Sequence, residues 1–204
     1  MFGGRLGSSD TRIVTLTWNG TNTAYLGLDD RSTFNAMTPS LLQNLSRRLA
    51  AAFAFTRIRA LVLQGIGPHF CTGGRYVRSS SSLPPWWIKA RGTCSTGYLL
   101  NQIRNASIFT ISMLHGSSIG GGLLLGLATE YRLATPSSIF RLGVAPYGLS
   151  PVVMATAILP KLVGQSLSAR MYVEDLQLDA HNAMESGIVS SLSPSIHRAR
   201  THAS

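Results

Sequence analysis

Two glycine clusters, each directly after a short apolar run of strand type, constrain this chain more than anything else in it. Arg59-Ala-Leu-Val-Leu-Gln-Gly65 opens into a loop that ends in Thr72-Gly-Gly74. Phe109–Leu114 passes through His115 to Gly120-Gly-Gly122 and on into the apolar stretch Leu123–Thr129. A strand that turns through glycine into a helix leaves backbone N–H groups unpaired and puts no side chain in front of them. Neither loop carries the Lys-Ser/Thr of a P-loop or the spacing of a dinucleotide fingerprint, so both speak against a nucleotide cradle.

The rest of the chain alternates in the same way. Arg12–Trp18 and Thr23–Leu28 read as strands joined at the turn dipeptide Asn19-Gly20. Thr38-Pro39 reads as an N-cap followed by proline at the first helical position, and Leu41, Leu45, Leu49 and Phe53 continue as a stripe. Ser79–Pro85 is low-complexity and predicts an exposed loop, with Trp86-Trp87 as lid packing. A helix is expected at Thr96–Asn105, a strand at Tyr131–Ala134 and a loop over Phe140–Pro151. Helices follow at Val152–Leu162, Ser166–Glu174 and Asp179–Ser186, the last stopped by Gly187. This order predicts an α/β fold with chemistry in the loops at the strand ends. One domain over 12–192 is expected, between a flexible 1–11 and a disordered tail, 193–204.

The 204 residues are 45% hydrophobic, enough for one core, and only 13% charged. The net charge of +10 comes almost wholly from arginine, since Lys89 and Lys161 are the only lysines. The arginines are scattered and form no basic stripe interleaved with aromatics, which argues against nucleic acid and leaves anionic ligands or an acidic carrier protein. Cys71 and Cys94 make no disulfide framework and have no metal-ligand spacing, and no apolar run reaches membrane-spanning length. A cytoplasmic protein without metal is expected, with organelle targeting open because the first residues are rich in Arg, Ser and Gly.

The succession Phe34-Asn-Ala-Met37, Leu61-Val-Leu-Gln-Gly65, Phe70-Cys-Thr-Gly-Gly74, His115…Gly120-Gly-Gly122, Phe140 and Ser186-Gly-Ile-Val189 resembles the crotonase (enoyl-CoA hydratase/isomerase) superfamily from about Ile13 to Leu192. The resemblance implies a ββα spiral, here C-terminally shortened, that assembles as a trimer or hexamer. It implies an acyl thioester of coenzyme A or of an acyl carrier protein as substrate, with no cofactor beyond that coenzyme A or phosphopantetheine. An oxyanion hole then maps to the N–H groups of Thr72 and Gly121. The thioester-binding segments map to Phe34, Asn35 and Ala36, to Phe70, Gly73 and Gly74, and to Gly120.

The glutamates that hydratases of this family use fall, by the same spacing, on Leu124 and Val144. Neither residue can activate water or protonate carbon. Gly122-Leu-Leu-Leu-Gly126 with Pro146-Tyr-Gly-Leu-Ser-Pro151 is similar instead to the polyketide β-branching crotonases, whose decarboxylases act on a methylglutaconyl thioester. Losing CO₂ from a desolvated carboxylate calls for an oxyanion hole and one later proton donor. Tyr76 stands where those decarboxylases carry a tyrosine, and Tyr147 follows the second lost glutamate. Arg75 either pairs with a substrate carboxylate or faces water. His115 is expected to make a structural hydrogen bond, and Cys71 to be a small buried residue. A hydratase or isomerase would need a carboxylate from elsewhere, such as Glu130 or Glu174, and an inactive thioester-binding scaffold is the third reading.

Overall fold

The computed structural model describes residues 13–18, 20–74, 86–151 and 154–194, with the backbone alone for 86–92. The expected lid loop at 79–85 lies outside these residues, as do the terminal segments 1–11 and 195–204.

Strand β1 (Val14–Trp18) turns back on β2 (Thr23–Leu28) as an antiparallel hairpin in which Val14 faces Leu28 and Trp18 faces Ala24. Helix α1 (Pro39–Ala54) starts where the sequence says. The Thr38 side-chain oxygen accepts the Leu41 N–H at 3.2 Å, and proline occupies the first turn, where no donor is lost. Its buried face is Leu41, Leu42, Leu45, Leu49 and Ala52. Each of these leucines removed from water contributes about 1.5–3 kcal/mol.

The chain then builds a parallel sheet on the hairpin. Strands β3 (Ala60–Gly65), β4 (Phe109–Leu114), β6 (Tyr131–Ala134) and β9 (Ser191–Leu192) join β1 and β2 in the order β1-β2-β3-β4-β6-β9. Helix α2 (Trp86–Arg104) crosses from β3 to β4, and α3 (Gly121–Leu127) connects β4 toward β6. The helix expected at Thr96–Asn105 is thus longer at its start, and Trp86-Trp87 belong to its first turn rather than to a loop.

A second, three-stranded sheet was not legible. Strand β5 (Ser117–Ile119) pairs in parallel with β7 (Ile139–Arg141), which pairs antiparallel with β8 (Leu178–Asp179). At two or three residues each, these strands are too short to show an alternating pattern. The late helices are α4 (Ala155–Val173), which breaks at Gly164, and α5 (Ala180–Glu185). Gly164 has φ 80° and ψ 164°, so α4 is two helices end to end, close to the two expected. Gly187, at φ 84°, ends α5 as anticipated. Among the described residues, no helix is long and apolar enough to cross a membrane.

Candidate active site

The small sheet joins the two glycine loops. Cys71 forms a parallel bridge to Ser118, with the Cys71 N–H donating to the Ser117 carbonyl and the Ile119 N–H to the Cys71 carbonyl. Two glycines permit the approach. A Cβ on Gly73, whose φ is 79°, would lie 2.4 Å from the Ile119 carbonyl oxygen and 3.2 Å from the Gly121 nitrogen. A Cβ on Gly122 would lie 2.2 Å from the Cys71 carbonyl oxygen. Real side chains do not fit at such distances.

A third segment locks onto the pair. Phe34 and Asn35 both adopt positive φ, 55° and 59°, after a short 3₁₀ turn at Arg31–Thr33. The strain is held by Asn35, which is 1% exposed. Its side-chain amide donates to the carbonyls of Ile66, His69 and Phe70 at 3.0–3.2 Å, and its Oδ1 accepts the Asp30 N–H at 2.8 Å. The Met37 N–H donates to the Gly73 carbonyl at 2.8 Å. His115 closes the back of the loop, its Nε2 lying 3.0 Å from the Gly67 carbonyl oxygen, as a structural histidine should.

These segments enclose a cavity of about 500 Å³, within the usual range for small-molecule sites. Of the sequence candidates, Phe34, Ala36, Thr72, Gly74, Gly120, Gly121 and Tyr147 line it. Asn35, Phe70 and Gly73 do not. Asn35 is the internal clamp, Phe70 is fully buried in the core, and Gly73 is pressed against Ile119. Arg75 and Tyr76 lie outside the described residues.

The donor assignment also changes. The Thr72 N–H donates to the Phe34 carbonyl at 3.3 Å, and its hydroxyl is 3.3 Å from the same oxygen. That amide is engaged inside the protein. Among the described residues, the Gly74 and Gly121 amides have no acceptor, and both residues face the cavity.

The two acid positions separate. Leu124 is 4% exposed and part of the core, whereas Val144 lines the cavity. Neither carboxylate considered as a substitute reaches it. Glu130 is spent on the Thr110 N–H at 2.9 Å at the far end of α3, and Glu174 pairs with Arg170 at 3.1 Å on the surface of α4. Cys71 is fully buried and its thiol is pushed up to about 12 by desolvation, against a weaker lowering from the Gly73 backbone, which removes it as a nucleophile.

Sequence reasoning missed Arg141, the one charged side chain in the described cavity lining. Its Nε donates to Asp175 Oδ2 at 2.8 Å, its Nη2 bonds the same oxygen, and Asp175 Oδ1 accepts the Gly143 N–H at 3.0 Å. Bonding to Asp175 raises the guanidinium above its ordinary pKa. The partner lies beyond α4 in the chain, so no local pattern announces the pair.

The family model for enoyl-CoA hydratase/isomerase matches residues 19–203. The chain belongs to that family. Mouse mitochondrial methylglutaconyl-CoA hydratase is 29% identical over 170 residues, covering 81% of this chain and 52% of that protein. A probable mitochondrial enoyl-CoA hydratase 2 of Arabidopsis thaliana is 25% identical, covering 91% of this chain and 58% of that one. The chain spans about half the length of the curated relatives it matches first. Among solved structures, Pseudomonas aeruginosa DspI superposes with a TM-score of 0.84 at 25% identity, over 94% of this chain and 77% of its own. A probable enoyl-CoA hydratase/isomerase of Mycobacterium abscessus gives 0.79 at 25% identity, over 88% and 68%. The α/β crotonase fold is therefore that of this chain.

Proposed function

We propose that this enoyl-CoA hydratase/isomerase family member binds a glutaconyl-type acyl thioester and decarboxylates it through a thioester enolate. The observation that carries the reading is the cavity itself, which among its described lining residues has two unpaired backbone amides and no carboxylate. Hydration needs a base for water and an acid for carbon. Decarboxylation needs neither at the bond-breaking step.

In that step the bond between the terminal carboxylate and its carbon breaks, and CO₂ leaves. The electron pair passes through the conjugated double bond onto the thioester oxygen, where the Gly121 and Gly74 amides would receive the charge. A proton then returns to carbon. The Tyr147 phenol, which lines the cavity, is the donor we assign among the described residues, with Tyr76 the candidate beyond them. The name of the mouse relative supports the acyl class, because a methylglutaconyl group carries the second carboxylate that this reaction expels.

The loop sequences similar to polyketide β-branching crotonases favour an acyl carrier protein over free coenzyme A as carrier. A trimeric or hexameric assembly belongs to the same reading. The test is release of labelled CO₂ from 3-methylglutaconyl thioesters labelled in the terminal carboxylate, offered on coenzyme A and on an acyl carrier protein. Release above the uncatalysed rate, faster from the carrier, is expected, and none from either would overturn the proposal. Burial of Leu124 in the core favours a second reading, thioester binding without turnover, which tight binding with no CO₂ release would establish.

A further inference from the structure

We infer that Arg141 is the specificity-determining residue of the cavity, receiving a second carboxylate on the acyl chain. Three features of its setting point there. Arg141 is the single charged residue in the described lining, and its partner Asp175, which offsets part of its charge, is not among those residues. The guanidinium is also fixed rather than free to swing. Nε and Nη2 both bond Asp175 Oδ2, and Asp175 is itself anchored through the Gly143 N–H, one residue before Val144. Finally, the pairing is one-sided. The Asp175 side chain is 12% exposed and the Arg141 side chain 39%, and Nη1 has no partner among the described residues. A planar guanidinium held along one edge presents its remaining N–H groups as a preorganised carboxylate donor.

Tyr147 contributes on the same wall. It lines the same cavity as Arg141. Arg141 is therefore placed to orient the terminal carboxylate, while the thioester end lies toward Gly121. Its neighbour Gly120 donates its N–H to the Arg141 carbonyl at 2.9 Å, so the cation and the glycine loop are held in register.

The inference rests on the proposed function only for its choice of acyl group, and its test avoids turnover. Glutaryl-CoA and butyryl-CoA differ by the terminal carboxylate, and neither can lose CO₂ into an enolate. Dissociation constants for both would be measured by calorimetry on the wild-type chain, R141M and R141K. The wild type is expected to prefer glutaryl-CoA by about three- to tenfold, the scale of one charge-assisted contact at a partly exposed site. R141M should lose that preference by weakening glutaryl-CoA alone, and R141K, which keeps the charge without the planar fork, should reduce it. Absence of a wild-type preference overturns the inference. Equal weakening of both ligands by R141M also overturns it, because it marks a contact with the phosphates they share. If R141M does not fold, R141K decides, and a preference there equal to that of the wild type overturns the inference. Failure of decarboxylation leaves this ratio untouched, so the two proposals fail separately.

Discussion

Replacing Gly73 with alanine tests whether the two glycine loops meet as described. Two costs apply. At φ 79° an L-residue is strained, at about 1–2 kcal/mol. The new methyl would also lie 2.4 Å from the Ile119 carbonyl oxygen, a backbone atom that moves only with its strand. Overpacking of that kind adds about 1–3 kcal/mol. Gly20 supplies the control, since its φ is 82° and no atom of the described residues lies within 4 Å of a Cβ there, so Gly20→Ala carries the strain alone. Gly73→Ala should therefore be less stable than Gly20→Ala by about 1–3 kcal/mol, in addition to the shared strain. At roughly 2–4 °C per kcal/mol for a chain of this size, the two melting temperatures should differ by about 2–12 °C. Urea denaturation of both variants measures the gap. Equal stabilities would refute the contact between Gly73 and Ile119, and with it the convergence of the loops.

Asn35→Ala should cost about 2–4 kcal/mol, because it strands buried carbonyls and puts alanine at φ 59°; denaturant midpoints read this directly. Asn35→Asp should cost more, since a carboxylate would face the carbonyls of Ile66, His69 and Phe70 without a donor. Cys71 gives a pH signature. Its thiol stays neutral in the fold up to about 12 but ionises near 9.0 when unfolded, so its contribution is fully present below pH 9 and is lost as pH rises toward 12. The stability of the wild type should fall by up to about 1.4 kcal/mol per pH unit in that window, and Cys71→Ala should lack this component. Restoring the family's acids should separate the two positions. Leu124→Glu buries an unpaired carboxyl in the core and should cost several kcal/mol on the order expected for an unpaired buried charge, whereas Val144→Glu faces the cavity and should stay within about 1.5 kcal/mol of wild type.

What was legible in the sequence is what local chemistry determines. Thr38-Pro39 set the start of α1, the leucine spacing set its buried face, and Gly187 set the end of α5. The glycine clusters also marked the loops that line the cavity. The errors came where neighbouring residues share a loop but not a direction. Asn35 sits between Phe34 and Ala36, yet it points into the protein while they line the cavity, because two successive residues of positive φ rotate it inward. Thr72 and Gly74 are two residues apart, and only coordinates reveal that the first amide is taken by Phe34. The small sheet and the Arg141–Asp175 pair depend on segments far apart in the chain, so no periodicity or spacing could signal them.

The central claim is that a cavity without the family's two carboxylates still forms an enolate and does not hydrate. Intact mass spectrometry of 3-methylglutaconyl-CoA after incubation with the protein tests it most directly, because the two outcomes shift the mass in opposite directions. The account predicts loss of the mass of one CO₂ per thioester. Gain of one water would contradict it, and would mean that a base outside the described cavity lining activates water after all.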